Sequence, residues 1–332
     1  MTAVTVRATA TAPHSRGPRG LVWVMLRVHR SALLFWLMLV GLTAGALLWV
    51  YGPGADAAWA EYRDMGCGSG RPNLGCDFTG PAMGRYDDVL GVSGAVMYWV
   101  PLLTAAWAGG ALIGRDMENG TARLAWVQSV SPARWLAAKL AVPAALLTAG
   151  MLTLTLLHRL AWTSDGKLHL TIGWRVWHDD TIFLANGSAA TAYALLGLAV
   201  GALTGLLLPR ALPALAVASL ALVTLQNRIG ELRPHLWPPD LVTATDDYPE
   251  TAGLIVEGGA LTRNGAHVPI PDCMGMPGCL TERDITGFYA YYHPAAHFWR
   301  LQLMETGIAL ALTAAAVLAA SRLLKHRTGA AI

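Results

Sequence analysis

The chain has 332 residues, of which 54% are hydrophobic and only 14% charged. That is well below the roughly 25% charge of a soluble globular domain, and it excludes one. A net charge of +3 gives no footing for a nucleic-acid partner. The apolar residues gather in blocks of about 20, the number that crosses about 30 Å of hydrocarbon. The expected fold class is therefore an all-α integral membrane protein with six transmembrane helices.

Residues 1–15 are small and polar and are expected to lack order. The segment 17–30 mixes Leu21, Val22, Trp23, Val24, Met25 and Leu26 with Arg19, Arg27, His29 and Arg30. It suits either a helix lying in the headgroup layer or a basic flank to the first span. Residues 1–30 thus form a tail with an interfacial helix, and 31–323 form the membrane domain. Its spans are expected at Ser31–Tyr51, Val89–Ile113, Leu136–Leu157, Ala189–Leu208, Ala211–Gln226 and His297–Leu323, and 324–332 form a second tail. The fifth span is short and carries Pro213. The first apolar block exceeds the 7–15 residues of a signal-peptide core, so it is expected to stay as an anchor.

Orientation follows from the basic residues. With the N-terminus inside, the inner stretches hold 13 of the 24 Lys and Arg but only Asp116 and Glu118 of the 21 acidic residues. Lys/Arg density sets the orientation, so both ends are expected in the cytoplasm of a multi-pass inner (plasma) membrane protein. The outer segments are then about 52–88, 158–188 and 228–296. Cys67, Cys76, Cys273 and Cys279 all fall on the outer side, where disulfides persist. The simplest pairing is Cys67–Cys76 and Cys273–Cys279. A metal site is the alternative, but the spacings lack the C-x2-C knuckle of zinc sites. A short hairpin is expected around Leu254–Val256, Gly258-Gly259 and Ala260–Leu261.

Between the second and third spans, Gly120 breaks the helix and Thr121 can cap a short helix over Ala122–Ser129. That helix would present Leu124, Val127 and Trp126 as an apolar patch beside Arg123. Ser131 and Pro132 supply an N-cap and first-turn proline for the third span. Such a helix can transmit force to a cytoplasmic partner or simply lie on headgroups. In the fourth span Gly197, Gly201 and Gly205 form a smooth stripe, which suits packing within the chain or a dimer seam.

Glu305 is the one acidic residue well inside a span. A carboxylate there needs a partner or a watery cavity, and Gln302, Arg300 and Arg159 are candidates. It can act as a structural clamp or line a transport route. His293 and His297 stand four apart around Pro294 and would share a helix face if helical, but no third metal ligand is evident. The sequence contains no H-E-x-x-H and no G-x-x-x-x-G-K-[ST], so no cofactor is expected in this chain and any ATP belongs to another polypeptide.

The run GRDMENGTARLAWVQSVSPARWLAAKL over 114–140 resembles the cytoplasmic segment of actinobacterial ABC-transporter permeases of the type-2 exporter class. Arg115, Glu118, Gly120, Thr121, Arg123, Leu124, Trp126, Gln128 and Trp135 fit that pattern. Asp116 stands where Glu is usual, and Pro132 follows Ser131 where a basic residue is frequent. A second run, YYHPAAHFWRLQLMETGIALAL, is similar to the family through Pro294, Phe298, Trp299, Gln302, Glu305, Thr306 and Gly307, with Ala296 and His297 replacing Ser-Arg. The segment 228–296 matches least.

The resemblance implies a non-catalytic half-transporter paired with a second permease as a homodimer or heterodimer. A separate cytoplasmic ABC ATPase would carry the ATP and Mg. Residues 114–135 would hold the coupling helix and 17–30 the elbow. A membrane-embedded enzyme and a sensor or scaffold without transport are the rival readings.

Overall fold

Backbone groups in hydrocarbon must be satisfied within their own segment, so each apolar block folds as a helix. The computed structural model describes residues 19–66, 80–127, 130–164, 175–245, 247–249, 251, 253–273 and 278–329. Six of its helices are long and apolar enough to cross a membrane: Arg30–Asp64, Pro81–Glu118, Pro132–Thr163, Ala189–Leu207, Ala211–His235 and Ala295–Thr328. They are called the first to sixth spans below. An N-terminal helix, Arg19–Val28, precedes them.

Several spans run past the expected limits, because hydropathy marks the hydrocarbon and not the helix. The fifth, expected to end at Gln226, stays α-helical to Leu232 and closes with a 3-10 turn over Arg233–His235. At 25 residues it is about 37 Å long, ample for a crossing. The second begins at Pro81, where Glu61 accepts hydrogen bonds from the Ala82 and Met83 amides at 2.9 and 2.8 Å. These are two of the donors that a helix start leaves unpaired. Two π-helical stretches, Val50–Gly54 and Ala108–Gly114, interrupt the first and second spans. Pro53 has no amide hydrogen to give the first of these.

The fourth span is the axis of the bundle. Sixteen of its 19 residues are buried, and it packs against the second, third, fifth and sixth spans. Alanine and glycine make this possible, since small side chains let helix backbones approach in lipid.

Beyond the membrane lies a feature outside the all-α expectation, a four-stranded antiparallel sheet. Its strands are β1 Asp240–Ala244, β2 Leu254–Thr262, β3 His267–Val268 and β4 Ile285–His293, in the order β1-β4-β2-β3. The hairpin expected at Gly258-Gly259 is not there. β2 runs straight through both glycines, paired with β4 at Ala290 and Tyr289. A Cβ on Gly258 would stand 1.9 Å from the Tyr248 hydroxyl, and one on Gly259 2.6 Å from the Tyr289 ring. These glycines make room for tyrosines and do not turn the chain. The turn lies at Asn264-Gly265, with Gly265 at φ +80° and its amide bonded to the Thr262 carbonyl at 2.8 Å. Asn-Gly is a strong hairpin signal.

Cys273 and Cys279 form a disulfide with Cα atoms 5.7 Å apart; Cys67 and Cys76 lie outside the described residues. Six crossings put the N-terminal helix and the end of the sixth span at one end of the bundle, here the terminal end, with the sheet at the other. Single cysteines at His326 and Asn264, both exposed, in a background without native cysteines should react with an impermeant maleimide from opposite faces. Labelling of both from one face would contradict the six-span path.

Candidate functional site

Polar side chains gather at the two ends of the bundle. At the terminal end the second span passes through Arg115–Glu118 to Gly120, whose φ of +70° only glycine adopts freely. The short helix that follows covers Thr121–Val127, one residue earlier in its start than expected. Thr121 does not cap it. Its hydroxyl turns back to the Asp116 carboxylate at 3.2 Å, while the Gly120 carbonyl accepts the first helical bond from Leu124. Ser131 does cap the third span, through a 3.4 Å bond from the Arg134 amide.

Ion pairs tie this corner together. Lys139 of the third span, 5% exposed, reaches Asp116 at 2.9 Å and His29 Nε2 at 3.2 Å. Burial, and then the Lys139 charge, push the His29 pKa down to about 4, so its ring is neutral at pH 7. Glu118 accepts a 2.9 Å hydrogen bond from the Ala211 amide, where a carboxylate meets the positive end of the fifth span's dipole. Arg327 of the sixth span donates to the Leu206 and Leu207 carbonyls that end the fourth.

The residues expected to couple the chain to a partner divide by exposure. Ala122 is buried and Trp126 sits edge-on to Trp135 at 5.7 Å. Arg115, Arg123, Leu124 and Val127 are exposed, the last two at 62% and 86%. Gln128 lies outside the described residues.

At the sheet end Glu305 is fully buried. It accepts hydrogen bonds from Tyr193 at 2.8 Å and from Arg233 Nε and Nη2 at 2.8 and 3.3 Å. Arg233 also donates to Asp180 at 2.7 Å, and its guanidinium lies over the Phe183 ring at 4.0 Å. None of the expected partners holds Glu305. Gln302 instead bonds the Ala189 amide and the Phe183 carbonyl. Arg159 donates to the Asn186 carbonyl and stacks on Trp299, and Arg300 lies over Trp237. Sequence reasoning missed Arg233, Tyr193 and Asp180. One signal was available: Ile229 and Leu232 extend the apolar periodicity of the fifth span toward Arg233.

The histidines do not share a helix: His297 lies in the 3-10 turn that opens the sixth span, and His293 precedes it. His293 ends β4, with Nε2 2.9 Å from the Pro234 carbonyl and Nδ1 3.1 Å from His297 Nδ1. A proton on His293 Nε2 and another on His297 Nδ1 satisfy both contacts. Among the described residues no group of three His, Cys, Asp or Glu could hold a metal.

The glycine stripe of the fourth span faces the second span. A Cβ on Gly197, Gly201 or Gly205 would lie 2.4 Å from the Pro101 carbonyl oxygen, 2.6 Å from that of Ala105 or 2.8 Å from Ile113 Cβ.

Six apolar helices bound by such contacts define a multi-pass membrane protein. Residues 36–233 match the family model described as ABC-2 membrane transporter related. The match covers more than half of the chain, which therefore belongs to that family: it is an ABC-2 type permease, a non-catalytic transport subunit. No curated protein and no solved structure matches it.

Removing Arg233 leaves the fully buried Glu305 with the Tyr193 hydroxyl but, among the described residues, no ion-pair partner, and stranding a buried charge costs about 3–5 kcal/mol. Arg233→Met should therefore lower the melting temperature of the purified permease sharply. The double variant Arg233→Met/Glu305→Leu removes both charges and should recover a large part of the loss. A double variant no more stable than Arg233→Met would contradict a pair held by mutual neutralisation.

Proposed function

We propose that this permease is the membrane-spanning half of an exporter driven by a separate ABC ATPase, which docks on Thr121–Val127. The observation that carries the reading is the exposure of Leu124 and Val127, at 62% and 86%, on a short helix whose other side is anchored. Apolar side chains placed so beside Arg123 suit a protein contact better than open water. The resemblance of residues 114–140 to type-2 exporter permeases supports the same assignment.

In this reading both termini face the cytoplasm of the inner (plasma) membrane. The ATPase brings ATP and Mg, and closure of two ATPase subunits pushes on the short helix. The push enters the second span through Arg115–Glu118. It passes to the third span through Asp116–Lys139 and to the fifth through Glu118. The ATPase thereby biases a two-state membrane element. A second permease, identical or related, completes the route; exposed Leu212 and Leu220 of the fifth span face it or lipid. The buried network around Glu305 then braces the opposite end, where the sheet sits.

The test is a charge placed in the contact. Leu124→Asp and Val127→Asp together bury unpaired carboxylates against the ATPase, at a cost of several kcal/mol. The permease should still insert, while co-purification with the ATPase and its stimulated hydrolysis fall together. Arg263→Ala, in an exposed pair with Asp284 at 3.5 Å, is the control that leaves docking intact. A double Asp variant with full ATPase binding would make the helix a plain surface element.

A further inference from the structure

A cavity of about 710 Å³ opens beside the first span at the terminal end of the bundle. Its volume lies within the range of small-molecule sites. Four helices wall it: the N-terminal helix with Met25 and Val28, the first span with Leu33 and Trp36, the second with Leu103 and Trp107, the third with Val142 and Leu146. On one wall the Trp36 Nε1 donates to the Leu146 carbonyl at 3.2 Å. The Trp36 ring fits there because position 150 is glycine; a Cβ would lie 2.5 Å from the ring.

Polarity in this cavity is graded along its length. Apart from Ser31 and Thr104, its polar residues are His29, Arg115, Asp116, Asn119 and Thr121, and all five sit at the mouth. From Arg115 back to Val100 the second span covers about 22 Å. One leaflet supplies about 15 Å of hydrocarbon, so the apolar part spans a leaflet while the mouth reaches the headgroup layer. A soluble ligand would need polar groups throughout; a helix of a partner would bury the charged mouth.

Charge at the mouth is unbalanced. Asp116 is neutralised by Lys139 at 2.9 Å. Burial holds the His29 ring neutral. Arg115 is exposed and forms no ion pair among the described residues. The net charge left over is one guanidinium, whose planar fork suits a phosphate or carboxylate.

We propose that this cavity binds an amphiphile with an anionic headgroup, an acyl tail between the first three spans and the headgroup on Arg115. The ligand is either a lipid of the surrounding leaflet or a free amphiphile taken up from the aqueous side. That it is also the transported molecule rests on the exporter reading above; its binding does not. Arg115 stands at the start of the coupling segment, so an occupied mouth is coupled to the ATPase lever by a single turn of helix.

Binding is tested on the purified permease in nanodiscs, without ATPase, using a dansylated undecanoic acid as probe. Lysophosphatidylglycerol should displace it, and a monoacylglycerol of the same chain length should compete about tenfold less well. Arg115→Gln should remove that tenfold preference while keeping the tail site. Leu103→Trp, at a position already half exposed, narrows the tail site and should weaken probe binding several-fold. In nanodiscs of anionic against zwitterionic phospholipid, probe affinity should drop in the anionic discs if leaflet lipid occupies the site. Affinity equal in both discs assigns the site to free amphiphile.

Unchanged probe binding in Leu103→Trp, or equal competition by the neutral monoacylglycerol, would overturn the proposal. So would a shift of Leu103→Trp from dimer to monomer with probe binding intact, since the cavity would then be a seam between copies. A negative result leaves the ATPase co-purification of Leu124→Asp/Val127→Asp untouched. The exporter reading therefore stands or falls separately.

Discussion

A Cβ on Gly197 would stand 2.4 Å from the Pro101 carbonyl oxygen, and those on Gly201 and Gly205 would meet the second span almost as closely. In lipid, helices gain nothing from leaving water, so packing at such short range is what holds them together. The second span is pressed from its other side as well. Gly109, Gly110 and Gly114 of its π-helical stretch face Ala214, Leu215 and Ala211 of the fifth. The second span is thus clamped between the fourth and fifth. Arg115–Glu118 continues it directly, and Thr121–Val127 follows after the break at Gly120. A π segment is a common mark of functional sites within helices, and here it lies where the clamp ends and the lever begins.

Polar contacts then divide the labour between the two ends. At the terminal end each one joins a different pair of elements: His29 and Asp116 to Lys139, Glu118 to the start of the fifth span, Arg327 to the end of the fourth. Displacement of the short helix is therefore shared among several spans. At the sheet end the contacts converge on one carboxylate. Glu305 draws in Tyr193 of the fourth span and Arg233 in the last turn of the fifth, and Arg233 carries the link on to Asp180. An end built around one neutralised charge is suited to bracing. The end with many separate links, and with apolar side chains turned outward, is suited to receiving a push.

Much of this organisation was legible in the sequence because it depends on local spacing. Apolar blocks of membrane length marked six crossings, and four-residue glycine spacing marked a smooth helix face. Ser131-Pro132 marked the start of the third span. The partner of Glu305 was not legible. Arg233 lies 72 positions away, and no periodicity connects the last turn of one span to a carboxylate inside another. The hairpin turn was misplaced for a different reason. Gly258-Gly259 looks like a turn, yet these glycines admit Tyr248 and Tyr289 from other segments, while Asn264-Gly265 held the turn chemistry. The cavity by the first span was equally hidden, since its walls come from four helices and its mouth from their ends.

The central claim is that the Thr121–Val127 helix meets an ATPase. A photo-crosslinking residue placed at Val127, with Asn264 as the distal control, tests it most directly in intact cells. Irradiation should yield an adduct whose partner, read by mass spectrometry, carries a G-x-x-x-x-G-K-[ST] nucleotide loop. The Asn264 probe should yield no such adduct. Adducts at Val127 to lipid alone, with a membrane-inserted permease and its ATPase present, would contradict the claim.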